Sequence, residues 1–555
     1  MIFEISQGHQ LLYSCEKARP IRVPNGYKFI GLRSDTGTGK NYQIDVLLRA
    51  LLYGECNRYH TSADKIELET LRTQMGPGPG VLFVGPRTLY DIEMVRKLKH
   101  HGAQLYKDMD EHEQAQVWVW QFHSLRKFNK RVPNILVIDE AELNRKVYTD
   151  SLNTTHQHKN QETLEFLITN ADIVIVADAT LSPDTVTVLG MIDPKGKWFV
   201  QENTFQSNTG AIVRNHDTLK SIKNRCVMDL SAGKVLTIAS GSLSKLDKFR
   251  EEVFKCLPES LTIKHKTFNS KTPGREKDFA KGLDEALGVE FTILLYTGSM
   301  GVGVEYTLDH VDKRYLLVNY NLVGDDGYLQ LLGRARGPKD KTVEMFIAKP
   351  SRKKSEWLPT TRDAIKRQID DEIKANRYVK QYFSPYLEPT TRKTMYRASR
   401  PWVEEAVIVN TIQRNRSLNN MEHELFTLLR ATGYSIENVH DEGVKTNDGC
   451  EGMNMDTQEP DVVTPEQRKF IEENINILSY NEHLELNLRY WSNYTPMNEQ
   501  DKLRMQYVRY RVEFPHEAPT METFKLIEDK RDVLFKLSCV YKIADQSALH
   551  NYLIR

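Results

Sequence analysis

The chain has 555 residues, more than one hydrophobic core supports, and a prior of about 100–200 residues per domain predicts three or four domains. Lysine and arginine number 76 against 75 aspartate and glutamate, a formal net charge of +1. No global positive field therefore indicates nucleic-acid binding, and any such site must be a local groove. The six cysteines include no Cys-x-x-Cys pair, which argues against a cysteine zinc site or a disulfide framework and favours a reducing compartment.

The amino terminus lacks a basic stretch followed by an apolar run, and no long uncharged apolar segment occurs in the sequence. Secretory signals and membrane-spanning helices require such segments. We therefore expect an intracellular protein that is neither secreted nor associated with a membrane.

The first distinctive stretch is a glycine-containing loop between a strand-like run at 27–32 and a helical pattern at 42–52. Such a loop directs backbone N–H groups and the positive end of a helix dipole at one point, which suits a phosphate. Its glycines permit a tight turn, and its lysine would reach the terminal phosphates. The predicted nucleotide-binding residues of the loop are Ser34, Asp35, Thr36, Gly37, Thr38, Gly39, Lys40 and Asn41.

An ordinary glycine turn is the competing interpretation of this loop taken alone. Asn41 departs from the usual pattern, because Ser or Thr at that position normally supplies a hydroxyl to Mg²⁺. We predict that the amide oxygen of Asn41 faces the hydrated metal ion instead.

Apolar runs alternate with helical patterns along most of the first 350 residues. The strand-like runs lie at 81–84, 117–120, 134–138 and 173–177, and then at 234–239, 291–296, 315–318 and 343–347. This alternation, with polar residues at strand ends, predicts doubly wound parallel sheets that bind ligands along one edge. The polar segment 201–210 separates the two series, so we predict two α/β domains, 1–205 and 206–350.

From about residue 351 the strand signal stops and charged helical patterns follow. We predict a helical extension at 351–439 and a solvated linker at 440–462, rich in Gly, Asn, Asp and Glu. A helical C-terminal domain is predicted at 463–555. The expected fold class is therefore α/β, with two tandem domains followed by a mainly helical C-terminal region.

Groups suited to phosphoryl transfer follow two of the predicted elements. Asp139 lies at the tip of a buried strand, where it can hold Mg²⁺ through coordinated water, and Glu140 can position a nucleophile. Gln330, Arg334 and Arg336 share one short segment of the second domain, and arginines from there would make hydrolysis depend on domain closure. A carboxylate pair at a helix start and a basic surface helix are the competing interpretations.

Five motifs in this order resemble those of superfamily 2 helicases. They are Lys40 with its loop, Asp139-Glu140-Ala141-Glu142, Asp178-Ala179-Thr180, Gly301-Val302-Gly303-Val304-Glu305, and the segment Gln330 to Arg336. The second reads as a DEAx box, and the third and last are most similar to herpesvirus-type replication origin-binding helicases and related phage and viral proteins. The resemblance covers about residues 25–350. It implies two RecA-like domains with ATP and Mg²⁺ between them and single-stranded nucleic acid across both.

The resemblance also implies a role for each matching residue. Lys40 would contact the β and γ phosphates, Asp139 would hold Mg²⁺, and Glu140 would activate water. Gln330 would sense the γ-phosphate, and Arg334 and Arg336 would be arginine-finger candidates. The implied ribose-contacting and coupling residues are Gly303, Glu305, Asp178 and Thr180. The implied nucleic-acid contacts are Pro86, Arg87, Thr88, Ser124 and Thr297.

The expected function is that of an ATP-dependent helicase or translocase on single-stranded or branched DNA, in viral or phage replication or recombination. It would work in the cytoplasm of a host cell or in a nucleus. Two alternatives stay open: an origin-binding or nucleic-acid-binding protein with weak or no turnover, which Asn41 favours, and an RNA helicase. Residues 351–555 are the predicted contact region for replication or recombination proteins.

Overall fold

The computed structural model describes a defined set of residues. They are 8–35, 37–56, 60–76, 80–108, 116–129, 131–149, 156–269, 272, 282–298, 306–319, 324–348, 358–375, 383–387, 394–398 and 400–440. The predictions for Thr36, Gly303 and Glu305 lie outside this set, as do those for the linker and domain beyond residue 440. The chain divides into two compact units, 1–369 with 381–453 and 370–380 with 454–555, and both large sheets belong to the first unit.

Eight strands form the first sheet. They are β1 (Gly8–Tyr13), β2 (Phe29–Ser34), β3 (Val81–Gly85), β4 (Gln104–Leu105), β5 (Val117–Gln121), β6 (Ile135–Asp139), β7 (Ile173–Asp178) and β8 (Trp198–Asn203). All pairs run parallel in the order β1-β8-β2-β7-β6-β3-β5-β4. Because β2, β7 and β6 are neighbours, the loops that follow them meet at one edge of the sheet.

Helices connect these strands and cover the sheet. They are α1 (Lys40–Tyr53), α2 (Ser62–Met75), α3 (Thr88–Lys97), α4 (Ala141–Val147), α5 (Gln157–Asn170) and α6 (Pro183–Gly190), with 3-10 turns at Lys99–His101 and Phe122–Lys127. Strands β6 and β7 are buried throughout, as their continuous apolar, β-branched sequences predict for the centre of a parallel sheet. Leu47 of α1 and Val137 of β6 belong to the core on one face.

The second sheet has seven strands. They are β9 (Ile212–His216), β10 (Leu236–Ser240), β11 (His265–Phe268), β12 (Ile293–Thr297), β13 (Lys313–Val318), β14 (Val343–Ile347) and β17 (Ser435–Val439). All pairs are parallel, in the order β11-β12-β10-β13-β14-β9-β17. The helices of this region are α7 (Leu219–Ser231), α8 (Leu243–Lys255), α9 (Leu283–Leu287) and α10 (Asp325–Leu332).

Two RecA-like parallel-sheet α/β domains in tandem, with a helical C-terminal part, confirm the predicted fold class. The domain boundaries stay predictions; the first sheet ends with Asn203 and the second begins with Ile212. In the C-terminal part the described helices are α11 (Arg362–Ala375) and α12 (Pro401–Ala431). No helix of the described ranges combines the length and apolar character needed to cross a membrane.

The expectation that strands stop near residue 351 is wrong. An antiparallel hairpin forms from β15 (Phe383–Leu387) and β16 (Thr394–Ala398), and β17 pairs with β9 at the edge of the second sheet. Strand β17 is mostly exposed, so it has no alternating apolar signal in its sequence. Its pairing depends instead on α12, which directly precedes β17 in the chain and places it beside β9 at the edge of the sheet.

Helix α12 contacts both α/β domains. Its first part packs on α4 and α6, and Trp402 lies edge-on to Tyr148 with ring centroids 5.9 Å apart. Asn420 interrupts the helix with non-helical backbone angles (φ −153°, ψ 64°). Beyond it, Met421 and Leu425 are fully buried in the core of the second domain. The helix therefore joins the two domains a second time, in addition to the segment between β8 and β9.

Candidate nucleotide-binding site

A cavity of about 370 Å³ lies at the edge of the first sheet where β2, β6 and β7 end. Both α/β domains contribute to its lining. The predicted site residues that line it are Gly37, Gly39, Lys40, Asn41, Asp139, Glu140, Asp178, Thr180, Gln330, Arg334 and Arg336. The structure thus brings the loop, the carboxylates and the arginines together around one space.

The glycine loop has a backbone conformation that side chains rarely adopt. Gly37 has φ 88° and Gly39, the N-cap of α1, has φ 90°. A Cβ at either position would strain the backbone, so glycine is needed for the turn that directs N–H groups into the cavity. The Lys40 ammonium donates to the carbonyl oxygens of Ser34 and Asp35, the latter at 3.3 Å. It is thereby held over the loop at the cavity wall.

Three of the predicted loop residues brace the loop and do not line this cavity. The hydroxyls of Ser34 and Thr38 are 2.6 Å apart, and the Asn203 amide donates to the Ser34 hydroxyl at 3.1 Å. The Asp35 carboxylate accepts from the backbone N–H and hydroxyl of Ser207 at 2.9 and 2.6 Å. Direct contact of Ser34, Asp35 and Thr38 with a nucleotide stays a prediction.

The two carboxylates at the end of β6 differ in burial and in their partners: Asp139 is buried and Glu140 is half-buried. Asp139 accepts from the Tyr90 hydroxyl at 2.8 Å and from the Glu140 backbone N–H at 2.9 Å. Burial raises the pKa of Asp139. For Glu140, burial and then the nearby Asp178 charge raise the pKa to about 8. A nearby cation would favour the ionised form of both groups.

The second domain faces these carboxylates with cationic and amide groups. The Gln330 amide donates to Glu140 Oε2 at 3.3 Å, and Arg334 Nη2 lies 4.0 Å from Glu140 Oε1. Arg336 approaches the glycine loop, with Nη1 3.8 Å from the position that a Cβ would take at Gly37. Gln330 and Arg334 therefore contact the acidic side of the cavity, and Arg336 contacts the phosphate-loop side.

The donor set fits Mg²⁺ bound with a nucleoside triphosphate. Mg²⁺ prefers hard oxygen ligands, keeps several waters and is usually held by one or two protein groups together with phosphates. The Asp139 carboxylate retains lone pairs beyond its two hydrogen bonds, and Asn41, whose side-chain amide includes an oxygen acceptor, lines the same cavity. When bound, the ion would neutralise charge on the phosphates.

Hydrogen bonds of Asp178 and Glu142 connect the motif at 139–142 to the motif at 178–180 and the residues that follow it. Asp178 accepts from the Glu142 backbone N–H at 3.0 Å and from the Thr180 N–H and hydroxyl at 2.8 and 3.0 Å. Glu142 in return accepts from the Ser182 N–H at 2.6 Å. Burial, then the Glu142 charge, raises the pKa of Asp178 to about 6. A shift of one motif therefore displaces the other.

Arg145 extends this network to the C-terminal helix. Its side chain is fully buried and donates to the Glu142 carboxylate at 2.9 Å and to the Thr185 hydroxyl at 2.8 Å. The remaining donors reach Asn410 and Gln413 of α12 at 2.6 and 2.8 Å. Sequence reasoning missed this residue because its partners on α12 lie far along the chain and follow no motif.

The predicted nucleic-acid residues lie in the turn after β3 and at the start of α3, in the 3-10 turn after β5, and at the end of β12. Arg87 donates to the carbonyl of Gly298, the residue after Thr297, at 3.0 Å and so joins the two domains. The Thr88 hydroxyl donates to Gln121 at 3.3 Å, and the Ser124 carbonyl accepts from Trp120 Nε1 at 2.9 Å. None of these predicted residues, nor Pro86, lines the cavity. Their contact with nucleic acid stays a prediction.

Further residues that line the cavity were not among the predicted site residues. They are Tyr42, Asp45, Met94, Lys97, Leu98, His100, Ala179, Asp326 and Leu329. Asp45 lies four residues after Asn41 on α1, a spacing that puts both on one face of the helix and could have indicated Asp45. Tyr90, the partner of Asp139, had no local signal because its position depends on how α3 packs against the sheet.

The fold and cavity together define a class: paired parallel-sheet domains with a phosphate-type loop on one and arginines on the other. No protein-family model matches the sequence, and no curated protein matches it.

Solved structures similar to this chain include S. cerevisiae Dbp5 bound to RNA and ADP–BeF3, at 14% identity and TM-score 0.41, covering 70% of this chain and 90% of Dbp5. The DEAD-box helicase Mss116 bound to ssRNA and UDP–BeF is similar at 13% identity and TM-score 0.40, covering 73% and 79%. Mycobacterium smegmatis helicase Lhr bound to ssDNA and AMP-PNP is similar at 13% identity and TM-score 0.38, covering 74% and 52%.

Proposed function

We propose that the protein is a superfamily 2 helicase or translocase that hydrolyses ATP in the cavity between its two α/β domains. The observation that supports this most is the convergence of Lys40 and Asp139 with Arg334 and Arg336 around one space. Phosphoryl transfer needs a phosphate cradle, a site for Mg²⁺, a carboxylate near the attacking water and cationic groups for the developing charge. This cavity offers a residue for each requirement.

In this proposal Lys40 leaves the loop carbonyls and pairs with the β and γ phosphates. Asp139 and Asn41 would hold Mg²⁺ with its waters. Glu140 orients the attacking water and takes its proton, a task suited to a carboxylate with a raised pKa. Arg334 and Arg336 stabilise the transferred phosphoryl group from the opposite domain.

The polymer is proposed to be single-stranded or branched DNA, on the basis of the motif resemblance. The finer likeness to herpesvirus-type origin-binding helicases, and a viral or phage role in replication or recombination, stay predictions. So do an intracellular location and partners that bind residues 351–555. Dbp5 and Mss116 are bound to RNA in their structures and Lhr to ssDNA, so RNA is tested beside DNA.

The test is ATP hydrolysis with and without single-stranded DNA or RNA, in wild type, Lys40→Ala and Glu140→Gln. We expect strand-stimulated hydrolysis in the wild type and a loss of about 10²–10⁴-fold in Glu140→Gln, the range for removal of a general base. Lys65→Ala, an exposed lysine on α2, is the matched control and should retain activity. Undiminished turnover in either site variant contradicts the assignment.

Asn41 supports a second candidate, a nucleic-acid-binding protein that binds ATP without turning it over. The asparagine lacks the hydroxyl that usually ligates Mg²⁺. ATP binding without hydrolysis in the wild type, with or without strands, would favour this candidate.

A further inference from the structure

A second group of ligating side chains lies next to the candidate nucleotide site. Asp45 comes from α1, and His100 and His101 form the end of the 3-10 turn after α3. His100 Nε2 and His101 Nε2 lie 2.6 and 2.7 Å from the same oxygen, Asp45 Oδ1. These three donor atoms all lie within 4.8 Å of one another.

The surrounding residues fix the direction of these donors. The His101 side chain is fully buried, and its ring stacks on Tyr53 with centroids 5.5 Å apart. His101 Nδ1 lies 3.2 Å from the Tyr53 hydroxyl, which leaves Nε2 directed at Asp45. A hydrogen-bonded second nitrogen of this kind orients histidine ligands in metal sites.

We propose that Asp45, His100 and His101 form a site for a divalent transition-metal ion, with Zn²⁺ as the expected occupant. Two imidazole nitrogens and one carboxylate oxygen are a ligand set of Zn²⁺ sites that keep a fourth position open. Tetrahedral ligands about 2.0–2.1 Å from the ion are about 3.3 Å apart, so small side-chain rotations suffice to admit it. The ion replaces protons on the imidazole nitrogens, so acidification weakens its binding.

Arg49 is the cationic group that contacts these ligands. Its Nε donates to Asp45 Oδ2 at 3.0 Å, which leaves Oδ1 for the ion. Its Nη2 lies 3.2 Å from His100 Nε2 and competes for the same nitrogen. Metal binding at this site is therefore reversible. When metal is scarce, the Arg49 guanidinium takes the place of the ion beside Asp45 and His100.

The site opens towards the candidate nucleotide. Asp45 and His100 line the same cavity as Lys40 and Asp139, so water or a ligand in that cavity can fill the fourth position of the ion. An ion bound there adds positive charge to the wall of the cavity and changes ATP turnover. This regulatory step rests on the proposed function, whereas metal binding itself does not.

The test is Co²⁺ titration of the nucleotide-free, full-length protein, followed by visible absorption, with Zn²⁺ as the displacing ion. We expect one Co²⁺ per chain with four-coordinate absorption bands, and affinity at least about tenfold lower in His100→Ala and Asp45→Asn. His423→Ala, an exposed histidine on α12, is the matched control and should bind Co²⁺ as the wild type does. Circular dichroism checks that the variants are folded.

Absence of Co²⁺ bands in the wild type, or equal bands and affinity in wild type and both site variants, would overturn the proposal. Loss of the bands in Asp139→Asn would also overturn it, because the ion would then belong to the phosphate site.

For the regulatory step, Zn²⁺ should change ATP hydrolysis in wild type and His423→Ala but not in His100→Ala. An equal response in His100→Ala refutes that step. A protein without ATPase activity would fail the proposed function while the Co²⁺ result still decides the metal site.

Discussion

Glu140 combines an unfavourable backbone conformation with an unfavourable charge environment. It has φ 52° and is the one non-glycine residue with positive φ among those the structure describes. Left-handed backbone at such a residue costs on the order of 1–3 kcal/mol and is found at functional sites. Its carboxyl also has a pKa near 8, so at neutral pH it is held mostly protonated beside Gln330. Both features lower the stability of the fold. A cation bound in the cavity would favour the ionised carboxylate of Glu140, which is the form that accepts a proton.

Glu140→Gln should therefore stabilise the fold in a pH-dependent way. The folded pKa is about 8 against an ordinary value of 4.5, so wild-type stability falls as pH rises between these two values. Glutamine does not ionise and avoids this loss. Because the side chain is 21% exposed, we expect a gain of about 1–3 kcal/mol near pH 9 and a much smaller one near pH 5. Urea unfolding at both pH values measures it; an equal gain at both would contradict the raised pKa.

Arg145→Met should be strongly destabilising, because it leaves Glu142 as a buried carboxylate without its cation. Removing one partner of a buried ion pair costs about 3–5 kcal/mol. The double variant Arg145→Met with Glu142→Gln should cost less than the sum of the single variants, since it removes both charges. Chemical unfolding of all three proteins gives the coupling. Arg126→Met, an exposed arginine, is the control, and strict additivity would refute the paired role.

Helix α12 shows how one element serves both domains. Its first part carries Asn410 and Gln413 to Arg145, and its last part buries Leu425 and Leu429 in the second core. The interruption at Asn420 falls between these parts. There the Asn420 side chain accepts from the His423 backbone N–H at 3.4 Å, the spacing of an N-cap. Asn420 thus begins a second helical segment with its own direction.

Asn420→Ala should remove this cap, whereas Asn420→Asp should retain it. Loss of an N-cap side chain costs about 0.5–2 kcal/mol. Thermal unfolding should show a lower midpoint for the alanine variant and a midpoint near the wild type for the aspartate variant. Equal midpoints for alanine and wild type would mean that the side chain does not cap the segment.

For the molecule as a whole, charge is balanced and binding groups are local. A net charge of +1 gives no long-range attraction for nucleic acid, so affinity must come from individual contacts such as those predicted after β3 and β12. Arg87 also links the domains through Gly298, so its variant is judged by the salt dependence of binding as well as by affinity.

Arg87→Ala should weaken single-strand binding equally for different sequences and lower the slope of log affinity against log salt by about 1. Fluorescence anisotropy over a salt series measures both. Arg72→Ala on α2 removes the same charge elsewhere and should leave the slope unchanged. Identical slopes for Arg87→Ala and wild type would remove Arg87 from the predicted contact surface.

Features that are encoded locally could be predicted from the sequence. Continuous β-branched runs predicted the central strands, and Gly37, Gly39 and Lys40 predicted a phosphate-type loop between strand and helix, because backbone freedom and periodicity act over a few residues. Contacts between distant groups became known only from the packed fold: Tyr90 with Asp139, Arg334 with Glu140, and Arg145 with α12. Such contacts depend on how whole elements pack, and no short stretch of sequence specifies that packing.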